Sequence, residues 1–543
     1  MNIHRLEWTS TQPLAEAYLR DFGKVAPLFD YNVWQQEEWV RRAEWVDDER
    51  RFSVDREGLC RVLTRFNRSI GADEAALASI DKLSRPDTLA IVGGQQAGLF
   101  TGQLLVIYKA ITLLQTAKQA EAQLGRTVVP VFWIAGEDHD FDEVNHIFQL
   151  TSDLRVEKIK LERTGDKRGS VSRLQIAAEQ WESVLDQLDA GLMQTEFKAS
   201  LMEQLREFAA SSATLVDFFG KMMAWLFRET GLVFINSDDP DLRALESSMF
   251  ERLIEEHRPL QAAVENRARK VQELGFTPQV EIQQGNANLF VCSEGERVLL
   301  YAQDDGFSTR RHDRFLTKEQ LLDYARQAPG KLSNNVITRP LMQEYLFPVL
   351  GTVLGPGEIA YWAQLGEAFH QLGMRMPLIV PRVEVTLMEG TVTKHMGKYG
   401  LTVEDVIHRF EEKRESWLQA QDTLHLDEQF EQVRRQFKAS YEPLVGLIAG
   451  INPGLKKLGE TNLGKIVEQI DFLEQKASDA YRAQFDAALR QLTRIQLSVL
   501  PQGRPQERIY NVVSYLNRYG ERWLRELMES PLEPDGFHRI SEL

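Results

Sequence analysis

Residues 136–148 read GEDHDFDEVNHIF and carry five carboxylates and two imidazoles in thirteen positions. If a helix starts near Asp140, then His139, Glu143 and His146 fall on one face by steps of three and four. Such a group suits general-base work on an amine or a water, or the binding of a metal. The candidate catalytic residues are Asp138, His139, Asp140 and His146, with His139 or Asp138 accepting a proton. The ligand spacing matches no standard metal signature, so no metal is expected. A plainer role is a helix start, because Asp140 followed by Glu143 resembles a capping box.

Two further stretches carry candidate binding groups. GGQQAGLFTGQ places glycines at 93, 94, 98 and 102. Glycine lets backbone amides approach a ligand, and the N-terminus of a following helix favours an anion. Gly94, Gln95, Gln96 and Thr101 are the expected contacts, and Lys109 adds charge if it faces inward. The stretch is neither a Walker A loop nor a spaced GxGxxG, and a tight turn without a ligand would use the same glycines. Farther on, Arg339 could hold a carboxylate or a phosphate. The segment LGPGEIAYWAQL offers Glu358, Tyr361, Trp362 and Gln364, although Tyr361 and Trp362 suit a core equally well. Asn236, which opens the turn after the apolar run GLVFI, completes the set.

These residues need a scaffold. Apolar runs at 89–92, 128–135 and 232–235 each open into a polar turn, the pattern of buried parallel strands. In an open α/β sheet, ligands bind beyond the carboxyl ends of the strands. The helix of this unit spans 102–125 and ends at Gly125. Further core strands are expected at 336–338, 349–353 and 378–380. Residues 154–161 and 169–174 read as a strand pair, followed by helices at 177–188, 194–210 and 213–229. A long helix is expected at 247–274, and a small β-meander at 280–282, 287–292 and 297–302. From 403 onward the pattern is helical. Apolar residues at steps of three and four from Ile466 to Val499 predict one helix over 455–499, about 67 Å long. That length suits an antiparallel coiled coil projecting from the body, with self-association through it.

The expected division is 1–88 as an N-terminal helical part, 89–148 as the first half of the core, and 149–230 as a first insertion. Core resumes over 231–276, a β insertion occupies 277–330, and 331–390 forms the second half of the core. The coiled coil spans 391–500, and helices over 501–543 return to the core, bringing Arg508, Tyr510 and Asn511 near the sheet.

At 543 residues with 43% apolar and 27% charged residues, the composition is that of a folded chain of several domains. A net charge of −16 argues against a general nucleic-acid binder, without excluding a local basic pocket. No window approaches the ~18 apolar residues of a membrane span, and the N-terminus lacks the pattern of a signal peptide. Cys60 and Cys292 read as reduced thiols of a cytoplasmic protein.

GGQQAGLFTG, VPVFWIAGEDHDFDEVNH, LGPGEIAYWAQL and QERIYNVVSYLNRYG together resemble the bacillithiol biosynthesis cysteine-adding enzyme family, in the same order and over essentially the whole chain. The resemblance implies a Rossmann-like α/β core with connecting-peptide insertions, a coiled-coil domain, homodimers and a bound adenine nucleotide (ATP or ADP). It also implies a ligase that joins L-cysteine to glucosaminyl-malate. The nucleotide would occupy the sheet crevice or a second pocket near 506–515, with Arg508, Tyr510 and Asn511 as its contacts. AGLFTGQLLVI also lies against the G-x-L-H-x-G-H-L pattern of class I nucleotidyltransferases, but with Phe100 and Gln103 at the two histidine positions. Activation could therefore run through an acyl-adenylate or an acyl-phosphate. The rival functions are a metal-dependent hydrolase using the 138–146 cluster, and a coiled-coil scaffold on a degenerate nucleotide-binding core.

Overall fold

The computed structural model describes residues 2–50, 52, 54–163, 169–280, 283, 285–293, 295–310, 314–421 and 424–543. The chain forms two compact units, Met1–Leu387 with Gln506–Leu543, and Met388–Pro505.

The first unit is built on five parallel strands: β1 (Leu89–Gln95), β2 (Val128–Ile134), β3 (Val233–Asn236), β4 (Val349–Leu354) and β5 (Leu378–Pro381). Their order across the sheet is β5-β4-β1-β2-β3, the Rossmann arrangement. Every residue of β2 is buried, as a central strand covered by helices on both faces requires. Helix α1 (Leu104–Leu124) joins β1 to β2 and ends on Gly125 in the left-handed region at φ 63°. Helix α2 (Pro356–Trp362) follows β4 directly.

Several segments depart from the sequence expectations. Residues 336–338 are not a core strand. The Asn335 Oδ1 accepts the Ile337 and Thr338 amides at 2.9 and 3.0 Å and turns the chain into the helix Thr338–Leu346. The segment 169–174 forms a short 3₁₀ turn, and Val156–Lys160 pairs instead with His146–Leu150. The long helix at 247–274 divides into Ser247–Glu255 and His257–Glu273. Asn2–Leu6, in the part expected to be helical, is a strand antiparallel to His538–Glu542. The β insertion is a sheet of Asn286–Ser293, Glu296–Ala302, Gly306–Thr309, Phe315–Thr317 and Leu332–Asn334. Of the strand expected at 280–282, Glu281 and Ile282 lie outside the described residues.

In the second unit, Leu426–Ala449 and Pro453–Ala483 lie side by side as a helical hairpin, tied by Arg434 to Asp471 at 2.8 Å and to Glu474 at 3.0 Å. The helix expected over 455–499 is interrupted after Ala483 and resumes as Asp486–Val499. The interruption sits where Tyr481, Phe485 and Trp417 pack edge to face. No helix among the described residues is long and apolar enough to cross a membrane.

The loop between β1 and α1 carries backbone strain. Phe100, Thr101 and Gly102 have φ of 49°, 75° and 72°, a region costly for the first two. Asn511 holds the loop: its Nδ2 donates to Phe100 O at 2.7 Å and to Gly102 O, while its Oδ1 accepts the Val513 amide at 2.9 Å. The Leu104 amide donates to Tyr510 O at 2.8 Å. Asn511→Ala leaves these buried carbonyls without a donor and should destabilise the chain by about 2–4 kcal/mol. Urea unfolding checks this, and an unchanged midpoint would remove Asn511 from that role.

Candidate functional site

β1 and β4 are neighbours whose connecting segments leave in opposite directions, so a crevice opens beyond their carboxyl ends. On the β1 side stand Gly93, Gly94 and Gln95. A Cβ on Gly94 would meet Trp133 O at 2.5 Å, so only glycine lets β1 pass β2 here. On the β4 side, the amide of Gly355 donates to Glu358 Oε2 at 2.8 Å in the first turn of α2.

Lys109 of α1 spans the crevice floor. It is 1% exposed, and its ammonium donates to Gly94 O at 2.8 Å, Gln95 Oε1 at 3.1 Å and Glu358 Oε2 at 2.5 Å. Burial lowers the Lys109 pKa, and Glu358 offsets part of that shift. Burial alone would raise Glu358, but Lys109 and the Gly355 amide outweigh it and hold the carboxyl below its ordinary value. Beside this pair, the Arg339 Nη2 donates to the Tyr361 hydroxyl at 2.7 Å. Among the described residues Arg339 forms no ion pair. Arg339 is largely buried, with Glu358 and Glu137 as its acidic surroundings.

The second wall is the turn after β2. At Gly136 a Cβ would press on Ser172 Oγ and Asn236 Oδ1, so a larger residue would displace those side chains. Asp138 Oδ2 accepts Gln96 Nε2 at 2.6 Å, and its Oδ1 accepts the His139 amide at 2.7 Å. Gln96 also reaches Glu143 at 3.0 Å, which ties the β1 and β2 turns together. Burial tends to raise Asp138, but Gln96, Arg297 and the His139 amide hold it below the usual carboxylate range. His139 Nδ1 lies 2.9 Å from Arg297 Nη1.

The shared helical face expected for His139, Glu143 and His146 is not formed. The helix is one turn, Phe141–Val144, without a side-chain cap from Asp140. Asn145 then binds Leu161 O at 3.1 Å through its side chain, and the chain enters the hairpin. His146 packs edge to face on Phe148 at 5.4 Å in that hairpin, and Asp140 is exposed.

Gly94, Gln95, Gln96, Arg339, Glu358, Asp138 and His139 are brought together around the crevice. Thr101 and Trp362 have no exposed surface; Trp362 packs on Phe369 at 5.8 Å. Phe100 is likewise enclosed, 5.5 Å from Phe218, while Gln103 is exposed. Asn236 Oδ1 accepts Ser172 Oγ and the Asp238 amide, both at 3.1 Å. Gln364 holds the 279–280 backbone through its Oε1 at 2.7 and 2.9 Å. Tyr510 and Asn511 are buried beside the β1 loop, and Arg508 lies near Glu384 and Glu507.

Beneath the second wall lies a charge network that the motifs did not announce. Glu137 Oε2 accepts Arg243 at 2.5 Å, Ser333 Oγ at 2.7 Å and the Asn334 amide at 3.2 Å. Arg243 also pairs with Glu246 at 2.6 Å, and Asp238 takes Arg173 at 2.7 and 2.8 Å. Arg297 closes the network through Ser333 Oγ at 2.9 Å and Asn334 O at 2.5 Å, stacked 3.8 Å over Phe290. Glu137 belongs to the acidic stretch at 136–148 and Asp238 to the polar turn at 236–240, whereas Arg243, Arg173 and Arg297 carried no motif.

The fold and crevice define a Rossmann-type α/β protein with a polar site at the switch point of its sheet, joined to a helical-hairpin unit. Two family models match the chain, the bacillithiol biosynthesis BshC N-terminal Rossmann-like domain over residues 1–383 and the BshC C-terminal coiled-coil domain over 385–543. The chain belongs to the BshC family. It is 38% identical over 558 residues to a protein of Symbiobacterium thermophilum named "Putative cysteine ligase BshC", covering 99% of both chains. It is 35% identical over 543 residues to a protein of the same name from Geobacillus sp., again over 99% of both. A crystal structure of a "putative arginyl t-RNA synthetase" from Campylobacter jejuni aligns over 88% of this chain and 98% of that one, at 10% identity. Its TM-score of 0.23 is too low to carry an argument.

The network predicts a pH dependence. Burial raises the Glu246 carboxyl, Arg243 pulls it back and Glu137 raises it again, to about 7. The unfolded chain releases this proton near the ordinary value of about 4.3. The folded state therefore binds more protons between about pH 4.3 and 7, and stability falls as pH rises through that window. Glu246→Gln should flatten that decline relative to the parent chain, measured by urea unfolding at about pH 5 and 7.5. An undiminished slope would show that Glu246 is ionised throughout.

Proposed function

We propose that this chain is an amide-forming ligase that joins the carboxyl group of L-cysteine to the amine of glucosaminyl-malate, using ATP, to give the thiol bacillithiol. The observation that carries the reading is Arg339. A largely buried guanidinium that forms no ion pair among the described residues, beside a switch-point crevice, is a ready anchor for an anionic substrate. Lys109 does not compete for that anion, since Glu358 already neutralises it. The names of the 38% and 35% identical relatives support the ligase class.

In this scheme the cysteine carboxylate gives one oxygen to a phosphorus of ATP, with loss of pyrophosphate or ADP. The amine nitrogen then attacks the acyl carbon. A C–N bond forms, the acyl C–O bond breaks, AMP or phosphate leaves, and the amine releases a proton to water. Arg339 holds a substrate carboxylate, and the Gly94, Gln95 and Gln96 segment lines the acyl group from the β1 side. The coiled-coil unit is proposed to carry self-association, supported by the exposed apolar residues Leu447, Ile451 and Leu458 on its hairpin.

Arg339→Met should lower kcat/KM by about 10- to 100-fold, the worth of a charge-assisted hydrogen bond. Its thermal stability should change little, because no ion pair is lost. The assay follows thiol product from cysteine, glucosaminyl-malate and ATP. Unchanged kinetics would sink the role of Arg339, and no product from the parent chain would sink the ligase reading.

A further inference from the structure

A cavity of about 650 Å³ opens in the first unit, and three arginines line it: Arg50, Arg56 and Arg126. Pro86 and Asp87 in its wall lead into β1, Arg126 leads into β2, and Leu346 precedes β4. The cavity therefore lies at the amino ends of these strands, away from the crevice at their carboxyl ends. Its volume is that of a small-molecule site.

The three guanidiniums are not equivalent. Arg126 is fully engaged: Nη1 and Nη2 donate to Asp47 at 2.6 and 3.0 Å, and Nε and Nη2 donate to Asp87 O at 3.1 and 2.7 Å. It neutralises Asp47. Arg50 meets only carbonyls, donating to Tyr345 O at 2.7 Å and to Glu344 O and Phe52 O at 3.3 Å each. Its Nε is buried without a partner. The acid nearest to its charge, Glu344, is already paired with Arg42 at 2.7 Å. Arg56 donates to Arg85 O and forms no ion pair among the described residues.

Two of these interactions have different structural explanations. Arg50 caps the carbonyls at the end of the helix Thr338–Leu346, a favourable place for a cation. That bonding uses carbonyl dipoles and supplies no counter-charge. Burial lowers the Arg50 pKa to about 10, Glu344 opposes the shift, and Arg56 and Arg42 add to it, so at neutral pH Arg50 is a cation that lies near another. Arg56 opens the helix Arg56–Ser69, at the end where the helix dipole favours an anion. Helix stability therefore gives no reason for a cation there. Asp87 is the one acid of the lining whose carboxylate is not engaged, against two uncompensated guanidiniums.

We propose that Arg50 and Arg56 form a second anion site, separate from the crevice, for a small organic anion whose carboxylate or phosphate group meets the two guanidiniums and whose apolar body lies along Phe52, Val54 and Leu346. Arginine supplies paired N–H donors that match either acid group. The apolar wall selects against inorganic ions, which have nothing to bury there. An anion between Arg50 and Arg56 removes the repulsion that each imposes on the other.

The test is isothermal titration of the full chain carrying Arg339→Met, so that the crevice anchor does not contribute. The probes are phenyl phosphate and phenylacetate, with benzyl alcohol as the neutral control, in about 0.05 M NaCl. At least one anion should bind with a Kd below about 5 mM. Binding of phenyl phosphate alone assigns the site to phosphate esters, and binding of phenylacetate alone assigns it to carboxylates. Adding Arg56→Gln should weaken that binding by about 10-fold. Raising NaCl to about 0.5 M should weaken it by about threefold or more, a check that needs no further variant to fold. Three results would each overturn the proposal: no binding of either anion up to about 20 mM, an Arg56→Gln chain or a high-salt buffer that leaves the Kd unchanged, or benzyl alcohol binding as tightly as the anions. None of these readouts uses turnover, so the site stands or falls apart from the ligase reading.

Discussion

A lysine ammonium buried in a sheet crevice must find acceptors for its protons, and that requirement shapes the centre of this molecule. Lys109 finds three: a carbonyl at the end of β1, the side-chain oxygen of Gln95 and the carboxylate of Glu358. The first two lie on one side of the switch point and the third on the other. Meeting the needs of one buried charge therefore fixes how far the ends of β1 and β4 stand apart. It also orients Gln95 and sets the first turn of α2. Breaking such a pair by removing one partner leaves an uncompensated buried charge, which is far costlier than the pair itself is stabilising.

The same logic governs the opposite wall. The carboxyl end of β2 delivers Glu137 inward and Asp138 outward from adjacent positions. Glu137 is compensated by Arg243 and by donors at 333–334, and through Ser333 it meets Arg297. Asp138 is compensated by Gln96 and backbone amides. One wall thus pairs Lys109 with Glu358, beside an Arg339 that forms no ion pair among the described residues. The other sets His139 against a network of carboxylates and guanidiniums. The β insertion and the core meet in that network, so the site spans segments far apart in sequence.

Much of this was legible before any coordinates. The apolar runs at 89–92, 128–135, 232–235, 349–353 and 378–380 are the five parallel strands, because strands covered on both faces must be apolar at nearly every position. Gly125 ending α1 follows from the left-handed backbone it adopts. The residues at the carboxyl ends of β1, β2 and β4 were legible for the same reason: polar side chains and glycines directly after a buried strand have few other uses. What failed were inferences that needed a neighbour. His146 looked helical with His139, but Asn145 binds Leu161 and diverts the chain into a hairpin. Residues 336–338 looked like a strand, but the Asn335 side chain wraps the backbone into a helix. Asn511 and Trp362 looked available, but the strained loop at 100–102 and the packing against Phe369 enclose them. Arg297 gave no signal at all, since its importance depends on Phe290, Ser333 and Asn334 lying around it.

The proposed reaction activates a cysteine carboxylate at the switch point before the amine attacks. The most direct measurement supplies cysteine labelled with ¹⁸O in both carboxyl oxygens, together with ATP and glucosaminyl-malate, and weighs the nucleotide and phosphate products. One ¹⁸O atom transferred to AMP or to inorganic phosphate for each thiol formed is the predicted result. Thiol formation with no label in either product would contradict the account.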